Sequence, residues 1–116
     1  MSIKVLVVED EPTVRSLAID ILAEAGFETA EASNAAQALD ILKATEDIDV
    51  LFTDVRMPGP MDGLDLATVA KGKHPHLQVI VTSGYFARAE LPQGTTFLPK
   101  PWSAVDLISK VTRAAA

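Results

Sequence analysis

Val50-Leu51-Phe52-Thr53-Asp54 is a run of uncharged, mostly apolar residues that ends in one carboxylate, and Val55-Arg56-Met57-Pro58-Gly59 follows at once. A short continuous apolar run bounded by Pro and Gly reads as a strand buried on both faces. Asp54 then stands where the strand stops and a loop begins, the place where open parallel sheets bind ligands. An Asp that merely opens a turn is the plainer reading of this residue alone. The neighbouring segments favour the first.

On the N-terminal side, Lys4-Val5-Leu6-Val7-Val8 is a second apolar run, ending in Glu9-Asp10-Glu11. Pro12 suits the first turn of a helix, where its missing N–H costs nothing. Val14, Leu17, Ala18, Ile21, Leu22 and Ala25 recur at helical spacing, and Gly26 supplies a left-handed stop. Phe27 to Ala32 reads as a short second strand. Asn34 caps the next helix, with Gln37 three residues on and Ala35, Ala38, Leu39 and Leu42 on its inner face.

On the C-terminal side, Met57 to Gly63 is turn-rich and a third helix spans roughly Leu64 to Lys71. Gly72 is expected to end it, and Pro75 forbids continuation. Gln78-Val79-Ile80-Val81-Thr82 forms a fourth strand that stops at Ser83-Gly84. Phe97-Leu98 belongs to a fifth, which must lie at an edge or end there because Pro99 lacks a ladder donor. Ser103 and Asp106 have capping-box spacing, opening a last helix with Ala104, Leu107, Ile108 and Val111 inward.

Strand alternating with helix gives a parallel sheet with helices on both faces, joined by right-handed crossovers. The expected class is α/β, a flavodoxin-like doubly wound sheet of five strands in the order 2-1-3-4-5. That order brings Asp10 and Asp54 to one crevice, with Ser83 on its flank and Lys100 beyond.

The chain has 116 residues, 48% of them apolar and 22% charged, which suits a single folded domain over 1–116. Its net charge is -6, so phosphate backbones and anionic membranes are repelled on average. Direct nucleic-acid or membrane binding is not expected. There is no cysteine for a disulfide or thiolate metal site. Neither a membrane-spanning run nor a signal-peptide layout is present, and the expected location is cytoplasmic.

Clustered carboxylates repel one another unless a cation sits among them. With oxygen ligands only, the fitting ion is a hard divalent one, Mg²⁺ first and Mn²⁺ second. A carboxylate can also attack phosphorus to give an aspartyl phosphate. Lys100 can hold a phosphate oxygen, and the Ser83 hydroxyl another. Taken singly, several of these residues have plainer readings. Glu9-Asp10-Glu11 suits a solvated helix lead-in, Ser83-Gly84 a turn, and Phe97 a core position. His74 and His76 lack a third ligand and read as surface residues. Trp102 reads as packing beneath the last helix.

The pieces Val7-Val8-Glu9-Asp10-Glu11, Thr53-Asp54-Val55-Arg56-Met57-Pro58, Met61-Asp62-Gly63, Thr82-Ser83-Gly84 and Lys100-Pro101 occur in order, each at a predicted strand end. Across essentially its whole length the chain resembles the receiver domain of two-component response regulators. The resemblance implies that Asp54 accepts a phosphoryl group from a histidine kinase or histidine phosphotransfer protein. It implies Mg²⁺ on Asp10, Asp54 and the Arg56 backbone carbonyl, with Glu9 acting through bound water. Lys100 would pair with Asp54 at rest and with the phosphate afterwards. Ser83 and Phe97 would be the switch pair, and the Lys100–Pro101 bond would be cis.

Three departures bear on this, one being that Phe97 lacks the hydroxyl of the commoner Tyr, so its switching can only be steric. Gly59-Pro60 makes the loop before Met61 one residue longer than the family's usual pattern. Only twelve residues, Tyr85 to Thr96, separate Gly84 from Phe97, so the fourth helix is expected to be shortened or irregular. That helix carries partner contacts and dimerisation in many relatives, and a homodimer is one assembly the resemblance allows.

The expected function is a phosphorylation-activated signalling switch with a protein-docking output, a stand-alone regulator or a piece of a longer one. The enzymatic alternative is a Mg²⁺-dependent phosphotransferase or phosphatase working through an aspartyl phosphate. It lacks a second acid two residues from Asp54, where Arg56 stands. A flavin- or nucleotide-binding domain would need a phosphate-cradling loop after strand one, where this chain has three acids.

Overall fold

A computed structural model describes residues 2–84 and 91–116. Five strands, β1 (Lys4–Val8), β2 (Glu28–Ala32), β3 (Val50–Asp54), β4 (Gln78–Ser83) and β5 (Thr95–Pro99), form one parallel sheet in the order β2-β1-β3-β4-β5. The helices are α1 (Pro12–Glu24), α2 (Ala35–Ala44), α3 (Gly63–Lys73) and α4 (Ala104–Ala115). The expected order of strands is the observed one.

Every residue of β3 is buried, because this central strand is covered on both faces. Alternate residues divide between two apolar layers. Leu6, Val8, Leu51, Val79 and Val81 face α2 and α3, meeting Ala38, Leu42, Leu66 and Ala70. Val5, Val7, Val50, Phe52 and Ile80 face α1 and α4, meeting Ala18, Leu22, Leu107 and Val111. Trp102 packs in the second layer, its ring 6.0 Å from Phe52 at 70°.

The helix starts have chemical causes. Pro12 opens α1, and Asn34 Oδ1 accepts from the Gln37 N–H at 2.9 Å to open α2. Ser103 Oγ accepts from the Asp106 N–H at 3.0 Å to open α4. At α3, Asp62 and Asp65 form a reciprocal capping box, each carboxylate accepting from the other's backbone N–H. Gly26, with φ of 98°, turns the chain out of α1.

Four boundaries or faces differ from expectation. α3 runs through Gly72 to Lys73, because a helical glycine costs only about 1 kcal/mol near an end where basic residues suit the dipole. Pro75 sets the limit instead. Leu17 is 53% exposed, since the inner stripe of α1 is narrower than the apolar spacing suggests and centres on Ala18 and Leu22. Ala104 is exposed in the first turn of α4, and β2 begins one residue later, at Glu28. The expected shortened fourth helix falls largely on residues 85–90, which lie outside the described residues. Leu91 to Gly94 carry no helix and turn into β5. Among the described residues, no helix is long and apolar enough to cross a membrane.

Candidate functional site

The carboxyl ends of β1, β3, β4 and β5 open on one rim, and the rim is charged. Glu9 and Asp10 follow β1, Asp54 closes β3, and Lys100 follows β5. One carboxylate oxygen from each of Glu9, Asp10 and Asp54 lies within 4.8 Å of the others. Lys100 Nζ donates to Glu9 Oε1 at 2.8 Å and lies 3.3 Å from Asp54 Oδ2. Asp10 is exposed, whereas Glu9 and Asp54 are only 4% and 8% exposed.

Burial and crowding set the titration behaviour. Desolvation by burial raises the Asp54 pKa above the ordinary carboxylate value, and Asp10 adds to the rise while Lys100 opposes it. Glu9 is likewise raised by burial, against the pull of its Lys100 and Glu11 hydrogen bonds. For Lys100, burial lowers the pKa, but the Glu9 hydrogen bond and the Asp54 charge outweigh it and the net direction is up. The ammonium therefore stays charged at neutral pH.

A carboxylate whose folded pKa exceeds its unfolded one binds more protons when folded, so stability falls as pH rises through that interval. Above that interval the full cost is present. Asp54→Asn removes it while Lys100 keeps its closer partner, Glu9. The metal-free variant should gain about 1 kcal/mol, roughly 4 °C in melting temperature at pH 7. The gain should shrink on acidification, and a variant less stable than the parent at pH 7 would refute this account.

The donor set suits a hard dication. The atoms are all carboxylate oxygens, and the penalty of holding Glu9 and Asp54 charged in a buried rim is what such an ion would relieve. Glu9 is already engaged at both oxygens, by Lys100 and by the Glu11 N–H at 3.1 Å. Asp10 and Asp54 are the two that can be given over to a metal. Arg56 sits two residues past Asp54 with its side chain exposed, at a position where its backbone carbonyl belongs to the same loop.

Ser83 is buried at the end of β4, its carbonyl accepting from the Lys100 N–H at 3.0 Å. Phe97 is half-buried beside Val81 on the α2–α3 side of the sheet. The Lys100–Pro101 bond is cis. His74 and His76 stand at the end of α3 with ring centroids 6.3 Å apart. Among the described residues they belong to no larger group of metal-capable side chains.

Two features were missed from the sequence. Gly63 opens α3 against the backbone of Asp54, where an added Cβ would overlap the Asp54 carbonyl oxygen and come within 2.8 Å of Val55 Cα. Its N–H donates to the Val55 carbonyl at 2.7 Å. Arg15 on α1 reaches back to the β1 rim, with Nη1 donating to the Glu9 carbonyl at 2.8 Å and Nε to Glu31 Oε1 at 2.9 Å. The capped Asp62-Gly63 pair was a signal for the first. For the second, only the cation one turn into a helix that starts beside three acids hinted at it.

Comparisons with known proteins bear on the family and the fold. A family model described as the response regulator receiver domain matches residues 5–112. The DNA-binding transcriptional regulator NtrC of Escherichia coli (strain K12) is 37% identical over 115 residues, covering 95% of this chain and 24% of that protein. The sensor kinase CckA of Brucella abortus (strain 2308) is 38% identical over 117 residues, covering 95% of this chain and 12% of that protein. The chain thus spans a quarter or less of the length of these relatives. Among solved structures, the receiver domain from the hybrid histidine kinase CckA has a TM-score of 0.86 at 38% identity, covering 97% of this chain and 99% of that one. A CheY-like receiver domain protein from Methanospirillum hungatei JF-1 has a TM-score of 0.92 at 23% identity, covering 99% and 94%, a likeness of fold.

Proposed function

Since the chain belongs to the response regulator receiver domain family, we propose that it is a signalling switch whose Asp54 accepts a phosphoryl group from a histidine kinase or histidine phosphotransfer protein. The observation that carries this reading is the meeting of Glu9, Asp10 and Asp54 around Lys100 at the rim. Asp54 is the acid on the central strand, and burial alone would tend to protonate it. Lys100 opposes that rise and so favours the ionised form a nucleophile needs.

A carboxylate oxygen of Asp54 attacks the phosphorus of the donor's phosphohistidine. The new P–O bond forms as the P–N bond breaks, and the electron pair returns to the imidazole nitrogen, which takes a proton. Asp10, Asp54 and the Arg56 carbonyl would hold Mg²⁺, or Mn²⁺ in its place, and the ion when bound neutralises charge on the phosphoryl oxygens. Glu9 would act on that ion through water, and Lys100 would exchange its Asp54 contact for a phosphate oxygen. Ser83 would bind another, and Phe97 would repack to alter the face made by β4, β5 and α4.

A hollow of about 440 Å³ beside Lys100, walled by Val14, Leu17, Pro101 and Trp102, offers the donor protein an apolar shelf next to the acceptor. The exposed Leu17 acquires a purpose there. Arg56 leaves the loop without a second acid for sustained hydrolysis, so a switch is favoured over a turnover enzyme.

Incubation with a small acyl phosphate and Mg²⁺ should add a single phosphoryl mass, and Asp54→Asn should lose it. Leaving out the metal should nearly abolish labelling. Persistent labelling of the variant would move the acceptor elsewhere, and steady phosphate release over many turnovers would favour the enzyme.

A further inference from the structure

We propose that Arg15 is a positioning residue for the metal-binding carboxylate of Asp10, acting through the Glu9–Asp10 peptide; this rests on the metal reading of the site given above. Among the described residues, no hydrogen bond holds the Asp10 carboxylate, which is exposed at the tip of the β1–α1 turn. Something else must fix its direction if it is to meet Asp54.

Glu9, the residue that precedes it, is held through the peptide on either side of its Cα. The Glu9 N–H donates to the Ala32 carbonyl at 3.1 Å, at the end of β2. The Glu9 carbonyl accepts from Arg15 Nη1 at 2.8 Å. The peptide is planar, so the direction of that carbonyl also sets the position of Asp10 Cα.

Arg15 is in turn anchored twice. Its own backbone N–H donates to the Glu11 carbonyl at 2.9 Å within α1, and its Nε donates to Glu31 Oε1 at 2.9 Å. The guanidinium side chain is 18% exposed and that of Glu31 58%. A planar fork can serve the carbonyl and the carboxylate at once, which a lysine cannot do as well. The surface ion pair itself adds little to stability. Its geometry orients the donor that grips Glu9.

Titration calorimetry of Mg²⁺ into the whole chain, beside metal-free melting curves, tests this. Arg15→Met should weaken Mg²⁺ binding about tenfold, the size of loss typical of groups that orient a ligand. Its metal-free melting temperature should move by only a few degrees. Arg15→Lys, which keeps a donor for the Glu9 carbonyl, should recover to within about threefold of the parent, and Glu31→Gln should lose about twofold. Binding by Arg15→Met within twofold of the parent overturns the proposal. So does an Arg15→Lys variant as weak as Arg15→Met. A parent chain that binds no Mg²⁺ instead removes the metal reading on which the inference stands.

Discussion

Gly63→Ala is expected to destabilise the protein by about 3 kcal/mol or more and to displace the phosphoacceptor. The cause is steric. Gly63 has no left-handed φ, and alanine would otherwise suit the first turn of a helix. The added Cβ, however, falls onto the carbonyl of Asp54 and against Val55 Cα. Those atoms are backbone, and β3 is paired on both sides, through β1 and β4. Neither a rotamer change nor a local shift of β3 relieves the overlap. α3 must move away, breaking the 2.7 Å bond from the Gly63 N–H to Val55 and opening the layer that holds Leu66 and Ala70.

Gly72 provides the control within the same helix. An added Cβ there meets nothing within 4 Å, so Gly72→Ala should stabilise by about 0.5–1 kcal/mol through helix propensity. Urea unfolding of the two variants reads the contrast directly. Equal midpoints would mean that α3 does not press on the acceptor strand.

Lys100→Met should be the second large effect, about 2–4 kcal/mol at neutral pH. The substitution keeps the length of the side chain and removes the ammonium, leaving Glu9 and Asp54 buried together without a cation. Glu9 loses its 2.8 Å donor and Asp54 its 3.3 Å neighbour. Both carboxylates are already raised by burial, and removing Lys100 pushes them further the same way. The cost should therefore grow as pH rises through their range and shrink as acid protonates them. In the parent, the raised Lys100 pKa contributes stability below the ordinary lysine value, lost as pH rises through the folded one. Adding Asp54→Asn to Lys100→Met should restore part of the loss. A penalty of equal size at pH 5 and pH 7 would show that packing, not charge, is what Lys100 supplies.

How far the site was legible differs residue by residue. The runs at Val5–Val8, Val50–Thr53 and Val79–Thr82 announced buried parallel strands, and the strand order then placed Asp10, Asp54, Ser83 and Lys100 on one rim. The rim is where they are found. Less legible was the division of partners. Lys100 was expected to pair with Asp54 at rest, yet its shorter contact is to Glu9, 91 residues away. Glu9 has the longer side chain and leaves from β1, and only the spacing of strands in three dimensions determines which carboxylate the ammonium meets first.

The linear polymer determined the order of strands and helices, their caps and the end of the sheet at which the acids gather, because apolar periodicity and Gly or Pro punctuation act over a few residues. Folding in three dimensions decided that Leu17 stays in solvent, that Gly63 presses on Asp54 and that Arg15 grips Glu9. Those outcomes depend on distances of a few ångströms between segments far apart in the chain, and local pattern does not encode such distances.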